Sequence, residues 1–150
     1  PIDNVKIMST DIERIKGVIT AEDTVSRIYI NFCNPWPAAG HHKRRLTHTR
    51  QLNTYKKVLA PGGELWFKTD NTDLYLATQR YLAEAGFEIL CKTDDLHSED
   101  APGNIQSEHE VMFTAEGIKT KAIIARWNGE PETPERVSTE QAEKVENTAE

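Results

Sequence analysis

Arg27-Ile28-Tyr29-Ile30-Asn31-Phe32-Cys33-Asn34-Pro35-Trp36-Pro37 is the stretch on which the reading of this chain turns. Ile28, Tyr29, Ile30 and Phe32 are β-branched or aromatic, and their alternation is imperfect, as expected of a parallel strand covered on both faces. Two prolines in three residues then close the run. Each lacks an N–H and fixes φ, so the chain leaves the strand through a stiff loop rather than a helix. Ligands of open α/β sheets bind at the carboxyl ends of the strands, which makes the loop Cys33–His42 a place to look for chemistry.

Working outward, Lys43–Leu59 reads as the clearest helix, with Leu46, Leu52, Tyr55, Val58 and Leu59 on one face and Pro61-Gly62-Gly63 as its stop. Glu64–Lys68 reads as a strand and Thr69-Asp70-Asn71 as a polar capping turn. Thr72–Ala85 reads as a helix ended by Gly86. Phe87–Thr93 follows as a strand, Leu96–Gln106 as a polar loop, Ser107–Glu116 as a short helix and Ile118–Trp127 as a last strand. Upstream, Val5–Met8 reads as a short strand and Asp11–Lys16 as one or two helical turns. Strands alternating with helices predict an α/β fold with a mostly parallel sheet covered on both faces.

The chain has 150 residues, the size of one domain. It contains no run near the ~18 apolar residues of a membrane span and no signal-peptide pattern, so a cytoplasmic location is expected. It begins with Pro1, which fits a piece of a longer gene product. Cys33 and Cys91 lie in apolar runs outside any metal-ligand spacing, and both are expected to be free and buried. No metal site is expected. Of the net charge of −6, residues 128–150 hold −5, from seven Glu against Arg136 and Lys144. That segment has almost no large apolar side chain and reads as an acidic disordered tail beyond a domain spanning 1–127. The body is near neutral but carries Lys43, Arg44, Arg45, Arg50, Lys56 and Lys57 in one stretch, with His41, His42 and His48 alongside.

Several positions can carry chemistry, and each has a structural reading beside it. Asn34-Pro35-Trp36-Pro37 is either a rigid connection or a platform holding an amide and an aromatic plane against a planar ligand. His41-His42-Lys43-Arg44-Arg45 is either a solvated helix start or a phosphate contact. It sets cations at a helix N-terminus, which the helix dipole disfavours and a polyanion would relieve. Asp70 either caps the following helix or aims a carboxylate at a base edge. Ser107-x-x-Glu110 has the capping-box pattern. Asp11 either caps its own turn or accepts from an adenine amino group.

The strings Tyr29–Pro37, His41–Leu46, Gly62–Asp70 and Gly103–Glu110, in this order, resemble the bacterial tRNA (guanine-N7-)-methyltransferases over about Asn4–Trp127. The resemblance implies a Rossmann-like class I methyltransferase fold whose last strand is antiparallel. It implies S-adenosylmethionine as methyl donor and N7 of a guanine in the tRNA variable loop as acceptor. By the same resemblance, Asp11 and Asn34 fall at cofactor-binding positions, Asn34 also at a catalytic one. Asp70, Ser107 and Glu110 fall at substrate-binding positions, and His41, His42, Lys43, Arg44 and Arg45 in the stretch that contacts RNA. Asn34 stands where the family has Asp, Ser107 where it has Thr, Ala38 where Lys is usual and Gly40 where Arg is common. The family's first two strands, with the Gly-rich loop and the ribose-binding acid, would lie upstream of Pro1. The fold is therefore expected to be incomplete, the chain alone inactive and a poor binder of the cofactor. The unpaired edge of the Arg27–Phe32 strand is expected to invite self-association or pairing with Val5–Met8. A different reading of the same residues is a tRNA- or RNA-binding remnant without methyl transfer.

Overall fold

The computed structural model describes residues 2–20, 22–99, 101 and 103–129. Its centre is one four-stranded sheet built from β1 (Val25–Asn31), β2 (Leu59–Thr69), β3 (Glu88–Thr93) and β4 (Lys121–Trp127), in the spatial order β1-β2-β4-β3. β1 and β2 are parallel, and β4 runs antiparallel to both β2 and β3. Three strands thus share one direction and the last opposes them, as expected. Because β4 inserts between β2 and β3, however, only one neighbouring pair is parallel. The helices are α1 (Thr49–Tyr55), α2 (Thr72–Glu84) and α3 (Glu108–Ala115), with 3-10 helices at Ile12–Gly17 and Ala39–Arg44.

β2 shows how the sequence builds the two faces. Successive side chains of a strand alternate between faces. Leu65, Phe67 and Thr69 are buried on one side, while Glu64, Trp66 and Lys68 are half-buried on the other. Against the first face pack Leu52 and Tyr55 of α1, Leu74, Tyr81 and Leu82 of α2, and Ile30, Ile123 and Ala125 of the neighbouring strands. Full burial of such side chains stabilises by roughly 1.5–3 kcal/mol each, and this cluster is the core. Leu96, Ala101 and Asn104 reach the second face and line a small cavity there with Ala122 and Ile124. Tyr29, on that face of β1, stays 55 % exposed.

The expected helix Lys43–Leu59 is two shorter pieces. Arg45 and His48 adopt extended backbone between the 3-10 helix and α1. The apolar spacing suggested one helix, but Arg45 and Thr47 are buried polar residues that need partners. Thr47 meets the Thr78 hydroxyl at 2.7 Å, and Arg45 reaches two elements at once. His48 caps α1, its Nδ1 accepting from the Arg50 N–H at 3.1 Å. Val5–Met8 is not a strand. Val5, Ile7 and Met8 are exposed, and this run does not pair with β1. The helical turn after Asp11 forms as expected, and so do the elements from Thr72 to Trp127, within one to three residues at each end. Cys33 is half-buried, and burial pushes its thiol pKa up to about 11. Cys91 is exposed, because β3 is an edge strand with one face to solvent. The expected acidic tail lies outside the described residues from Glu130 onward. Among the described residues, no helix is long and apolar enough to cross a membrane.

Pro61-Gly62-Gly63 does not terminate a helix; it lies inside β2. The register pairs Val25 with Leu59 and Arg27 with Glu64, so four residues of β2 bulge opposite one of β1. Gly62 has φ +80°, which a side chain resists. A Cβ on Gly63 would lie 2.7 Å from the Ala60 carbonyl oxygen and 2.9 Å from Leu59 Cδ2. Gly63→Ala is expected to destabilise the chain by about 1–3 kcal/mol, as overpacking does, and a thermal melt checks it. An unchanged midpoint would show that the bulge yields freely.

Candidate functional site

The parallel pairing of β1 and β2 brings their exits side by side. The Phe32 N–H donates to the Lys68 carbonyl at 2.9 Å, so the loop after Asn31 starts level with the end of β2. In that loop Phe32 and Trp36 hold φ of 51° and 43°, the left-handed region that non-glycine residues avoid. Each costs on the order of 1–3 kcal/mol and persists only where the surroundings impose it. For Trp36 the imposing bonds are visible. Asn34 Oδ1 accepts the Trp36 N–H at 3.0 Å, and the Pro35 carbonyl is held from behind by Arg45 Nε at 2.7 Å. The first bond also settles which end of the Asn34 amide faces the backbone, leaving Nδ2 outward.

Trp36 is the hub of the basic turn. The His41 ring meets it edge-on at 5.9 Å, and the Arg44 guanidinium carbon lies 5.2 Å from its ring centroid. Such a cation–aromatic contact contributes about 0.5–1 kcal/mol at an exposed site. His42 Nε2 lies 3.2 Å from the Pro37 carbonyl oxygen, and Lys43 is exposed. Arg45, in the stretch expected to contact RNA, is the buried member of the basic turn. It is 4 % exposed, and its guanidinium bonds Pro35 O and, at 3.1 Å, the Tyr81 hydroxyl on α2. The reason is electrostatic: a buried cation must be hydrogen-bonded, and these oxygens supply the bonds.

Asp70 stands exposed at the end of β2 with its carboxylate unused by the helix cap. Asn71 caps α2 instead, accepting from the Leu74 N–H at 2.8 Å. Asp11 caps the turn Ile12–Gly17 through the Glu13 N–H at 3.0 Å, and Glu13 pairs with Arg50 of α1 at 3.0 Å. Asp11 makes no bond to the loop of Asn34.

Ser107 and Glu110 form the expected capping box at the start of α3. Glu110 is fully buried and engaged by neighbouring side chains. Its Oε2 lies 2.7 Å from Lys68 Nζ, and its Oε1 accepts from Asn104 Nδ2 at 2.9 Å. His97 Nε2 approaches the same Oε1 to 3.2 Å, close enough for attraction but without hydrogen-bond alignment. Burial alone would raise the Glu110 pKa. The Lys68 and Asn104 hydrogen bonds and the Lys68 charge outweigh it and hold the carboxyl below its usual range. Rings of Phe32, His109 and Phe113, 5.6 to 6.0 Å apart, tie α3 to the loop after β1.

Between the loop 103–107, which leads into α3, and the sheet lies a cleft of about 260 Å³ that includes Tyr29, Asn31, Trp66, Lys68, Asn104 and Ser107. Lys68, Asn104 and the Arg27–Trp66 stack at 4.3 Å were not singled out by sequence reasoning. The strict alternation of β2 carried the signal, since it sets Trp66 and Lys68 on the face away from the core. No group of three His, Cys, Asp or Glu side chains is placed to hold a metal ion among the described residues.

Glu110→Gln should leave Lys68 without its counter-charge in a site where little water reaches. Breaking such a pair costs about 3–5 kcal/mol, and the lower value is expected because Lys68 keeps some exposure. The pH dependence has a definite sign. A carboxyl held below its ordinary value, 4.5 for Glu, contributes stability that is present above that value and lost as pH falls through the lowered one. Denaturant melts of the two proteins should differ most near neutrality and converge in acid. A gap independent of pH would contradict the ion-pair account.

A family model described as "Putative methyltransferase" matches residues 1–123. Among curated relatives, a tRNA (guanine-N(7)-)-methyltransferase of Clostridium beijerinckii is 54 % identical over 123 residues, covering 82 % of this chain and 56 % of the relative. One of Clostridium botulinum is 52 % identical over 124 residues, covering 83 % and 57 %, and one of Acetivibrio thermocellus is 46 % identical over 122 residues, covering 81 % and 56 %. The chain thus spans rather more than half the length of the curated relatives it matches. With the family model matching 123 of its 150 residues, the chain belongs to this methyltransferase family.

Proposed function

We propose that the chain serves transfer of a methyl group from S-adenosylmethionine to N7 of a guanine in the variable loop of tRNA. The observation that carries this reading is the loop after β1, where Asn34 and Arg45 hold a strained Trp36 under His41 and Arg44, beside Asp70 at the end of the parallel neighbour. A rigid aromatic plane, an outward amide, a free carboxylate and cations for phosphate suit a planar base on a polyanionic chain. The curated relatives are named for methylation of guanine N7 in tRNA, which supports the reading.

Guanine N7 has a lone pair and no proton, so attack on the methyl carbon requires no general base. Alignment and exclusion of water carry the rate. S-adenosylmethionine, when bound, supplies a methyl group on a positively charged sulfur. Among the described residues, Asp11 keeps Oδ2 and Asn34 keeps Nδ2 without partners, an acceptor and a donor that fit two of its polar contacts. Asp70 is assigned to the base edge and Ser107, on the rim of the cleft, to the substrate. Glu110 positions Lys68 and Asn104 rather than touching substrate. Lys43, Arg44, His41 and His42 are assigned to the RNA backbone, which makes binding salt-dependent. The base gains positive charge as N7 is methylated, and an anion nearby lowers that cost. Asn34 offers only a dipole there, and its carbonyl is already engaged by Trp36.

The test is a chimera in which residues 1–123 replace the matching segment of the Clostridium beijerinckii relative. Incubated with tRNA and labelled cofactor, it is expected to methylate guanine N7. Asn34→Asp keeps the bond to the Trp36 N–H and adds a charge, and is expected to raise the single-turnover rate. A folded chimera that binds tRNA but transfers no methyl, with Asn34 or Asp at that position, would favour an RNA-binding role without catalysis.

A further inference from the structure

We propose that the cleft between the 3-10 helix Ala39–Arg44 and α2 is a second phosphate site for the RNA, with Arg80 as its outer cation. The inference rests on the tRNA reading above and extends the RNA footprint onto an element that no motif singled out. The cleft is about 330 Å³. Its α2 wall consists of Asp73, Leu76, Ala77 and Arg80, positions i, i+3, i+4 and i+7 of one helix face. Pro37, His42 and Arg45 line the opposite side.

The charge in the cleft is built, not incidental. Arg45 is buried and spends Nε on Pro35 and Nη1 on Tyr81, while Nη2 makes no hydrogen bond among the described residues. Arg80 lies over the Tyr81 ring, its guanidinium carbon 5.2 Å from the centroid, and touches Glu84 only loosely, at 3.6 Å with both side chains more than half exposed. Tyr81 therefore links the two arginines, one through its hydroxyl and one through its ring. Pro37 and Leu76, the latter 58 % exposed, give the cleft an apolar wall. Two guanidiniums and a histidine around an apolar wall suit a phosphodiester with its sugar against the wall, Arg45 offering Nη2 and Arg80 its more exposed guanidinium. His42, which lines the cleft, shares the 3-10 helix with Lys43 and Arg44, which places the two groups of cations within one short segment. Asp73 opposes an anion and gives the test its sign.

Equilibrium binding of tRNA by the whole chain, measured across a salt series, decides the matter. Arg80→Ala is expected to lower the slope of log affinity against log salt by about 1. Arg80→Glu should weaken binding further, and Asp73→Asn should tighten it several-fold. A wild-type slope for Arg80→Ala, or no gain for Asp73→Asn, overturns the proposal. The double substitution Lys43→Ala, Arg44→Ala separates the two readings. If it flattens the slope while Arg80→Ala does not, the cleft fails and the tRNA reading stands. If the wild-type chain does not bind tRNA, both fail.

Discussion

A guanidinium removed from water has to be bonded wherever it is placed, and Arg45 is placed where the chain can satisfy it only by bringing two distant segments together. Its Nε takes the Pro35 carbonyl and its Nη1 the Tyr81 hydroxyl, joining the loop after β1 to α2. Hydrogen bonds to a charged group contribute about 1.5–3 kcal/mol each, so either one is comparable to the strain of a left-handed tryptophan. The same bonds break what would otherwise be one helix into a 3-10 turn and α1. The basic side chains are thereby delivered around Trp36 instead of along a helix flank. Strain in the loop, exposure of Asn34 and the stacking of Arg44 all follow from where Arg45 goes.

A second buried charge works from the other face of the sheet. Lys68 projects from β2 away from the core, and Glu110 meets it from the first turn of α3. Phe32 extends the tie, since its ring stacks on His109 and meets Phe113 edge-on while its N–H bonds the Lys68 carbonyl. The exits of β1 and β2 are therefore gripped from both sides by interactions whose loss would leave a buried charge unpaired. That arrangement would suit the proposed methyl transfer, which depends on alignment more than on proton transfer. The exposed groups, Asn34, Asp70, Lys43 and Arg44, ride on this frame and take little part in holding it.

Periodicity made much of the fold legible. β1, β2, α2, α3 and β4 announced themselves by apolar spacing, by Gly86 after α2 and by the Ser107–Glu110 capping pattern. Periodicity failed where a polar residue was buried. Arg45 read as part of a solvated helix start or a phosphate contact, because a buried polar side chain looks the same in sequence as a solvated one, and only the partners tell them apart. Pro61-Gly62-Gly63 misled for a related reason: residues that end helices also permit bulges, and the parallel partner strand decides between the two. Val5–Met8 had the composition of a strand but no neighbour to pair with. At the site, the sequence indicated the Asn34 loop, the basic turn and Asp70, and the resemblance supplied a substrate role for Ser107. Neither could show that Glu110 faces Lys68, because that contact joins residues 42 positions apart.

The central claim is that Arg45, by bonding Pro35 and Tyr81 together, imposes the conformation of the Asn34–Trp36 loop. Arg45→Lys tests it most directly, because lysine keeps the charge but has no fork of N–H donors to bridge two oxygens. The measurement is the backbone amide spectrum of the variant against the wild type. The account predicts large shifts at Asn34, Trp36 and the residues of the 3-10 turn, with the amides of β3 and of the Glu110 capping box unmoved. Wild-type amide shifts throughout the loop would contradict it.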